Sequence, residues 1–353
     1  MPKGWPVAIL LLGLLAAADA PRDPHHGRLM EYADASGSLR PVRSRSDWKI
    51  RRAQIVAGME AVMGPLPARD PKPPAVEVAE EVRAEGYIRR KIRYEAAAGD
   101  WIPAYLLIPN QRKGRLPAML CLHQTTKIGK GEPAGLGGKP DLHYAAELAA
   151  SGYVTLAPDY PGFGDSPPDY DAQVYSRGFA STTMKAIWNH MRAIDLLQSM
   201  AEVDRRRIGV IGHSLGGHNT LFLGVFDQRV RVMVTSCGFN SFPKYYGGKI
   251  APWGQTRYMP RVESEFGSDP ARMPFDFPEV LGALAPRAVF INAPLGDTNF
   301  EVSGVKDCVR AAEPVYKLFG KPQRLVAVYP DAGHEFPEAI REQAYAFVGR
   351  MLR

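Results

Sequence analysis

The chain has 353 residues, 45% of them hydrophobic and 23% charged, proportions that are ordinary for a globular protein with a sizeable core. The formal net charge of +7 is not arranged as a basic stripe with stacking aromatics, so we expect no nucleic-acid partner. Cysteine occurs three times, and Cys121 and Cys237 fall in apolar runs, which favours buried free thiols over a disulfide framework.

The first twenty residues have the form of a signal peptide. Lys3 precedes an apolar run over residues 7–17, and Ala18-Asp19-Ala20 offers the small residues that a signal peptidase recognises. The run is shorter than the roughly 20 residues of a membrane-spanning helix. We therefore predict that residues 1–20 are removed, that no stable membrane insertion remains, and that the mature protein is secreted or periplasmic.

Residues 21–74 are predicted to form an N-terminal helical extension, because residues 41–63 have an amphipathic helical pattern and the turn-rich stretch "GPLPARDPKPP" follows them. The next segments, "VEVAEEVRAEGY", "IRRKIRYEAA" and "WIPAYLLIP", alternate apolar and polar residues. Such alternation indicates antiparallel strands joined by hairpin turns. The sheet is thus expected to begin with an antiparallel portion.

Short apolar runs separated by helical segments occupy the rest of the chain: "PAMLCLH", "YVTLAPD", "RIGVIGH", "RVMVTSC", "RAVFINA" and "RLVAVYP". This pattern is typical of a parallel sheet covered on both faces. We predict one α/β domain over 75–353, with a mostly parallel sheet of eight strands and helices on both faces. Helices are expected over 182–200 and directly after Ser214, and an irregular insertion over 238–282 before the penultimate strand.

Ser214 lies in "GHSLG", between the run "RIGVIGH" and a predicted helix. A G-x-S-x-G sequence at a strand-to-helix junction is typical of a nucleophile elbow, where Gly212 and Gly216 make room for a tight turn. The helix N-terminus would also stabilise an oxyanion, with one N–H supplied by Leu215 and another by the loop after "PAMLCLH".

A serine nucleophile needs a base and an orienting acid. His334 is the predicted base. It lies in the loop "DAGHEFP" after the last apolar run, at the carboxyl end of a predicted parallel strand, where the active sites of such sheets lie. Asp297 is the predicted acid, because it follows the preceding run; Asp307 and Asp331 remain rivals. The other histidines are interpreted as structural or surface residues: His25, His26, His143, His190, His213 and His218. His213 and His218 in particular are expected to point away from the reacting face of the hydroxyl.

The motifs "LHQTT", "APDYPGFGDS", "GHSLGG", "GDTNF" and "AGHEF" together resemble those of the α/β-hydrolase superfamily, in the branch that contains dienelactone-hydrolase-like proteins and acetyl xylan esterases. The resemblance implies the α/β-hydrolase fold and a backbone oxyanion donor at Thr125, with Gln124 as the alternative. Dienelactone hydrolases use a cysteine nucleophile, whereas this chain has Ser214, which favours ordinary ester cleavage. No dinucleotide fingerprint or metal-ligand spacing is visible, so no cofactor and no metal are expected.

The predicted insertion contains Tyr245, Trp253 and Tyr258. These aromatics either pack as core beneath a loop or form a lid that binds a sugar or aromatic group. We consider them candidate substrate-binding residues.

The preferred hypothesis is a serine carboxylic ester hydrolase that forms an acyl-enzyme and acts on short acyl or carbohydrate-linked esters. A prolyl-oligopeptidase-like peptidase is less favoured, because the residues before the first strand cannot supply a propeller domain. A non-catalytic binding protein on the same scaffold is the third hypothesis. The expected partner is a small-molecule or carbohydrate ester, and the oligomeric state stays open.

Overall fold

The computed structural model describes residues 26–69, 72–111 and 114–352. The signal peptide predicted for residues 1–20, and His25, lie outside the described residues. Within the predicted extension, strands β1 (Glu31–Ala33) and β2 (Leu39–Pro41) form a small antiparallel sheet that the sequence pattern did not predict, and helix α1 (Arg45–Met63) follows. Helix α1 begins later than residue 41 because Ser44 caps it, accepting the N–H of Asp47 in a capping box.

One large sheet organises the remainder of the chain. Its antiparallel strands are β3 (Val76–Arg83), β4 (Tyr87–Ala97) and β5 (Asp100–Pro109), as the alternating segments predicted. Its parallel strands are β6 (Leu116–Leu122), β7 (Val154–Pro158), β8 (Val203–His213), β9 (Val232–Ser236), β10 (Ala288–Asn292) and β11 (Leu325–Val328). The strand order is β11-β10-β9-β8-β6-β7-β5-β4-β3, and β7 joins the two portions by pairing parallel with β6 and antiparallel with β5.

The sheet has nine strands, so the prediction of eight was wrong. Every predicted run joins this one sheet, including β3, whose side chains are nearly all exposed. Strand β3 still pairs with β4 from Val76↔Tyr94 to Arg83↔Ile88, and backbone hydrogen bonding therefore extends the sheet beyond its buried part.

Helices cover both faces, as predicted. They are α2 (Tyr144–Ala150), α3 (Thr182–Ser199), α4 (Leu215–Phe226), α5 (Arg261–Ser264), α6 (Phe277–Leu284), α7 (Val302–Leu318) and α8 (Glu338–Met351). The alternation along β6 shows the two layers: Leu120 belongs to the larger apolar cluster with α3, α4, α6 and α7, whereas Met119 and Cys121 belong to a second cluster with α2 and α8.

The segment predicted as an irregular insertion contains short turns and α5, but its last part is regular helix. Asp276 caps α6 with a capping box, so the irregular stretch ends there rather than at residue 282. The N-terminal extension is anchored to α6 through the buried carboxylate of Glu279, which accepts from Arg51 at 2.6 Å and contacts His26 at 2.8 Å. Within the described ranges, no helix is both long enough and apolar enough to cross a membrane.

Candidate active site

The backbone at Ser214 is strained in the way that a nucleophile elbow requires. Ser214 connects β8 to α4 with φ 53° and ψ −116°, a conformation that non-glycine residues rarely adopt. The turn is held by the Ser214 N–H, which donates to the Ser236 carbonyl at 2.8 Å, and by the Gly217 N–H, which donates back to the Ser214 carbonyl at 2.8 Å. The hydroxyl thus stands at the carboxyl end of the central strands.

The two flanking glycines are required by space. A Cβ atom on Gly212 would lie 2.3 Å from the carbonyl oxygen of Gly216, and one on Gly216 would lie 2.0 Å from the carbonyl oxygen of Leu122. Both clashes are with backbone, which cannot rotate away. The first turn of α4 therefore packs directly against the ends of β8 and β6.

His334 and Asp297 come together at the ends of β11 and β10, the two strands that follow β9 at this edge. His334 Nδ1 lies 3.0 Å from both carboxylate oxygens of Asp297. The Asp297 side chain is buried, whereas that of His334 is 25% exposed. Burial would raise the pKa of Asp297, but the hydrogen bond and charge of His334 outweigh it, and the N–H groups of Phe300 and Asn299 add to the lowering. The carboxylate is therefore ionised at neutral pH.

The rival acids lie elsewhere. Asp307 is in α7, as its sequence context indicated, and pairs with Lys244 at 2.6 Å and Arg310 at 3.1 Å. Asp331 is exposed in the loop before His334. Among the three candidate carboxylates, Asp297 is the one bonded to the imidazole.

His213 and Cys237 surround this pair and were not connected with it by sequence reasoning. The ring of His213 meets that of His334 edge-on with centroids 4.8 Å apart. Burial and the neighbouring His334 lower the pKa of His213 well below its usual value, so a neutral ring faces the candidate base. The potential ligand atoms of His213, Cys237 and His334 lie within 4.8 Å of one another. Among the described residues, this is the group of side chains that could hold a metal, although His334 already bonds Asp297.

A further histidine orients the candidate oxyanion loop. The N–H of Tyr160 donates to His123 Nε2 at 2.9 Å, so Nδ1 carries the proton and donates to the carbonyl of Gln124 at 2.5 Å. In a trans peptide the carbonyl and the next N–H point in opposite directions. The N–H of Thr125 therefore points away from His123, and Thr125 lines the same cavity as Ser214 and Leu215. This geometry favours Thr125 over Gln124, and His123 was missed because Tyr160, whose N–H donates to it, is distant in sequence.

The Ser214 cavity has a volume of about 210 Å³. Its lining combines aromatic, amide and small polar side chains: Thr125, Ser214, Leu215, His218, Tyr245, Pro252, Trp253, Gln255, Tyr258, Asn299 and Phe300. Tyr245 and Trp253 are buried and also pack on each other with ring centroids 5.7 Å apart. Tyr245 and Trp253 therefore belong to the packed core, and with Tyr258 they also line the cavity, whereas their role in substrate binding stays a prediction.

His218 was wrongly expected to point away from the site. It is four residues after Ser214 in α4, which returns its side chain to the same face of the helix. Its ring packs edge-on against Trp253 at 4.8 Å and lines the cavity. Burial lowers the pKa of His218 to about 3, so this ring is neutral.

Comparisons with known proteins find similarity to hydrolases and esterases. The family model for glucuronyl esterase of fungi matches residues 172–320. YtaP of Bacillus subtilis (strain 168), a protein named as a hydrolase, is 25% identical over 311 residues, covering 85% of this chain and all of that protein. The structure of a glucuronoyl esterase from Solibacter usitatus superposes with a TM-score of 0.70 at 20% identity, covering 91% of this chain and 97% of that one. An acetyl xylan esterase from Paenibacillus sp. R4 gives a TM-score of 0.58 at 19% identity, covering 88% and 96%.

The chain has the α/β-hydrolase fold, which confirms the fold that the resemblance in the motifs implied. These relatives are named as hydrolases and esterases.

The packing at the elbow leads to a test of its geometry. Gly216→Ala should lower the free energy of unfolding by about 3 kcal/mol or more, because the added methyl overlaps the Leu122 carbonyl and neither backbone can yield cheaply. Gly349→Ala in α8 is the matched control, since its Cβ would lie 3.5 Å from the Tyr153 hydroxyl. That variant should gain up to about 1 kcal/mol from helix propensity. Urea unfolding measures both, and equal stability of the two variants would contradict the analysis.

Proposed function

We propose that the protein is a serine esterase that cleaves carbohydrate-linked or short acyl esters through an acyl-enzyme. The observation that carries the proposal is the strained elbow at Ser214, whose neighbour His213 contacts the ring of His334, a histidine that is hydrogen-bonded to a buried, ionised aspartate. Serine, imidazole and carboxylate in this arrangement are the components of a nucleophilic relay.

In the first half-reaction, Ser214 Oγ attacks the ester carbonyl carbon while its proton passes to Nε2 of His334. Asp297 holds the Nδ1 proton and stabilises the imidazolium that results. The tetrahedral intermediate then expels the alcohol, which takes the proton from Nε2, and the acyl group stays on Ser214. In the second half-reaction, water repeats the same steps and releases the acid.

The oxyanion of each intermediate is assigned to the backbone N–H groups of Leu215 and Thr125. Leu215 is the first residue of α4, where N–H groups have no partner within the helix and the dipole favours negative charge. Preorganised donors of this kind contribute about 3 kcal/mol each to transition-state stabilisation. His123 acts as a positioning residue through the Gln124 carbonyl.

The substrate class is inferred from the cavity and the relatives. Aromatic rings at Trp253, Tyr245 and Phe300 beside the amides of Gln255 and Asn299 suit a sugar, which has apolar ring faces and hydroxyl groups. Glucuronoyl esterases and acetyl xylan esterases occur among the relatives, so both sugar-acid esters and acetylated sugars belong to the proposed range. Secretion remains a proposal that rests on residues 1–20.

A serine-directed fluorophosphonate and an aryl acetate test the nucleophile together. The wild-type enzyme should be labelled and should hydrolyse the acetate, whereas Ser214→Ala should lose labelling and lose turnover by about 10⁴-fold or more, with the fold unchanged by circular dichroism. Folded wild-type protein that resists labelling would instead support the non-catalytic alternative, and cleavage of proline dipeptides in preference to esters would support the peptidase.

The acid is tested by three Asn variants on one ester. Asp297→Asn should lower kcat by about 10³–10⁴-fold, because an amide stabilises the wrong imidazole tautomer while it preserves shape. The side chains of Asp307 and Asp331 are exposed, so Asp307→Asn and Asp331→Asn should lower kcat by about tenfold at most. A crippled Asp307 or Asp331 variant beside an active Asp297 variant would show that the acid is misassigned.

The size of the cavity sets the acyl preference. At about 210 Å³, with Trp253 and Phe300 in its lining, it accommodates an acetyl group more readily than a long chain. The kcat/KM for an aryl acetate should therefore exceed that for the octanoyl ester by about tenfold or more, since overfilling a packed pocket costs roughly 1–3 kcal/mol. Acetylated sugars and methyl glucuronate in the same panel show whether the enzyme prefers the sugar as the alcohol or as the acid of the ester. Faster hydrolysis of the octanoyl ester would refute the preference.

A further inference from the structure

A second cavity, of about 550 Å³, lies at the same edge of the sheet as the Ser214 cavity. Its floor is formed by β3, β4 and β5, and its wall by the loop 165–177. Cross-strand pairs Arg93↔Glu77 and Arg93↔Pro103 place these three side chains on one face of the sheet, and Trp101, two residues before Pro103, lies on that face too. The result is a concave surface that contains an indole ring.

Two ion pairs link charged groups that line this cavity. Lys91 Nζ lies 2.8 Å from Asp165, and Arg93 Nε lies 2.6 Å from Glu77. Arg177 donates to the backbone carbonyls of Ala98 and Gly99 at 3.3 and 3.1 Å. The lining therefore combines charges of both signs, three cations and four carboxylates, and does not favour a strongly charged ligand. It does offer closely spaced donors and acceptors, which suit hydroxyl groups.

Trp101 adds an apolar platform to these polar groups. It is half-buried, and the Arg93 guanidinium carbon lies 4.9 Å from the ring centroid, which fixes the orientation of the indole. A rigid aromatic ring beside fixed hydrogen-bonding groups is the combination that binds a pyranose, whose ring packs on the indole while its hydroxyls are bonded. The chemistry of the cavity therefore fits a neutral sugar.

The position of the cavity relates it to the ester-cleaving site. Strand β5 begins beside the end of β7, since Ala104 pairs with Pro158, and β5 is three strand spacings from β8, about 14 Å. The segment between the two cavities contacts the wall of the Ser214 cavity. Tyr160 Oη donates to the carbonyl of Arg257 at 2.8 Å, and Arg257 precedes Tyr258, which lines that cavity. A short oligosaccharide is long enough to extend from one cavity to the other.

We propose that this second cavity is a glycan-binding subsite that holds a neutral oligosaccharide chain at a distance from the ester cleaved at Ser214. The inference rests on the proposed function and deepens it: the substrate is an ester on a carbohydrate chain rather than on a free monosaccharide.

Binding is tested on full-length Ser214→Ala protein, which keeps any substrate intact. Calorimetry with xylohexaose, cellohexaose and mannohexaose should find at least one hexasaccharide that binds about tenfold more tightly than its monosaccharide. Adding Trp101→Ala should weaken that binding by about tenfold, the usual effect of removing an aromatic anchor. Phe319→Ala is the matched control, because Phe319 is also a half-buried ring under an arginine, Arg45 at 5.5 Å, and lies outside both cavities.

A second variant separates loss of binding from loss of folding. Ala172 is exposed on the cavity wall, so Ala172→Trp should fill the cavity and weaken hexasaccharide binding as Trp101→Ala does. Hydrolysis of an aryl acetate by both variants in the Ser214 background should stay within about twofold of wild type, since the subsite is remote from the ester. Absence of hexasaccharide binding, or binding unaffected by both variants, would overturn the subsite. Absence of aryl acetate and sugar ester hydrolysis by wild type would overturn the proposed function while the binding result stood.

Discussion

The contact between the first turn of α4 and the end of β6 constrains the whole candidate site. No side chain fits at Gly216, because the carbonyl of Leu122 occupies the place of a Cβ. The helix can approach so closely only if the chain turns sharply after β8, and Ser214 bears that turn at φ 53°. The same approach brings the N-terminus of α4 next to the loop after β6, so Leu215 and Thr125 line one cavity.

Neutral imidazoles line the cavities next to the start of α4. Burial lowers the pKa of His190 and His218 to about 3 and lowers that of His123 as well. These rings act as hydrogen-bonding or packing groups without adding positive charge. His334 differs from them in being partly exposed and hydrogen-bonded to a carboxylate. His334, the candidate base, is thus distinct from the buried histidines, which serve as hydrogen-bonding or packing groups.

Local patterns predicted the features that depend on nearby residues. The elbow, α3, the antiparallel strands and the order of Ser214, Asp297 and His334 along the chain follow from periodicity and from loops at strand ends. Features that depend on long-range contacts were missed or wrong. The small sheet of β1 and β2 was not predicted, and His123 owes its orientation to Tyr160, a residue on another loop. His218 could have been placed correctly, since its spacing of four from Ser214 on a helix is visible in the sequence.

The turn after β10 has two roles, and the same two residues serve both. The N–H groups of Asn299 and Phe300 donate to Asp297, and the side chains of Asn299 and Phe300 line the Ser214 cavity. Any substitution at Asn299 or Phe300 that moves the backbone therefore changes both the shape of the Ser214 cavity and the pKa of Asp297. A change of specificity at these two positions is therefore coupled directly to the Asp297 carboxylate, whereas Tyr245 and Trp253, on a separate segment, are coupled to it through Phe300, with ring centroids 5.8 and 6.4 Å from that of Phe300. New substrate ranges in this scaffold should arise more readily by exchange of the 238–276 segment than by change in the turn.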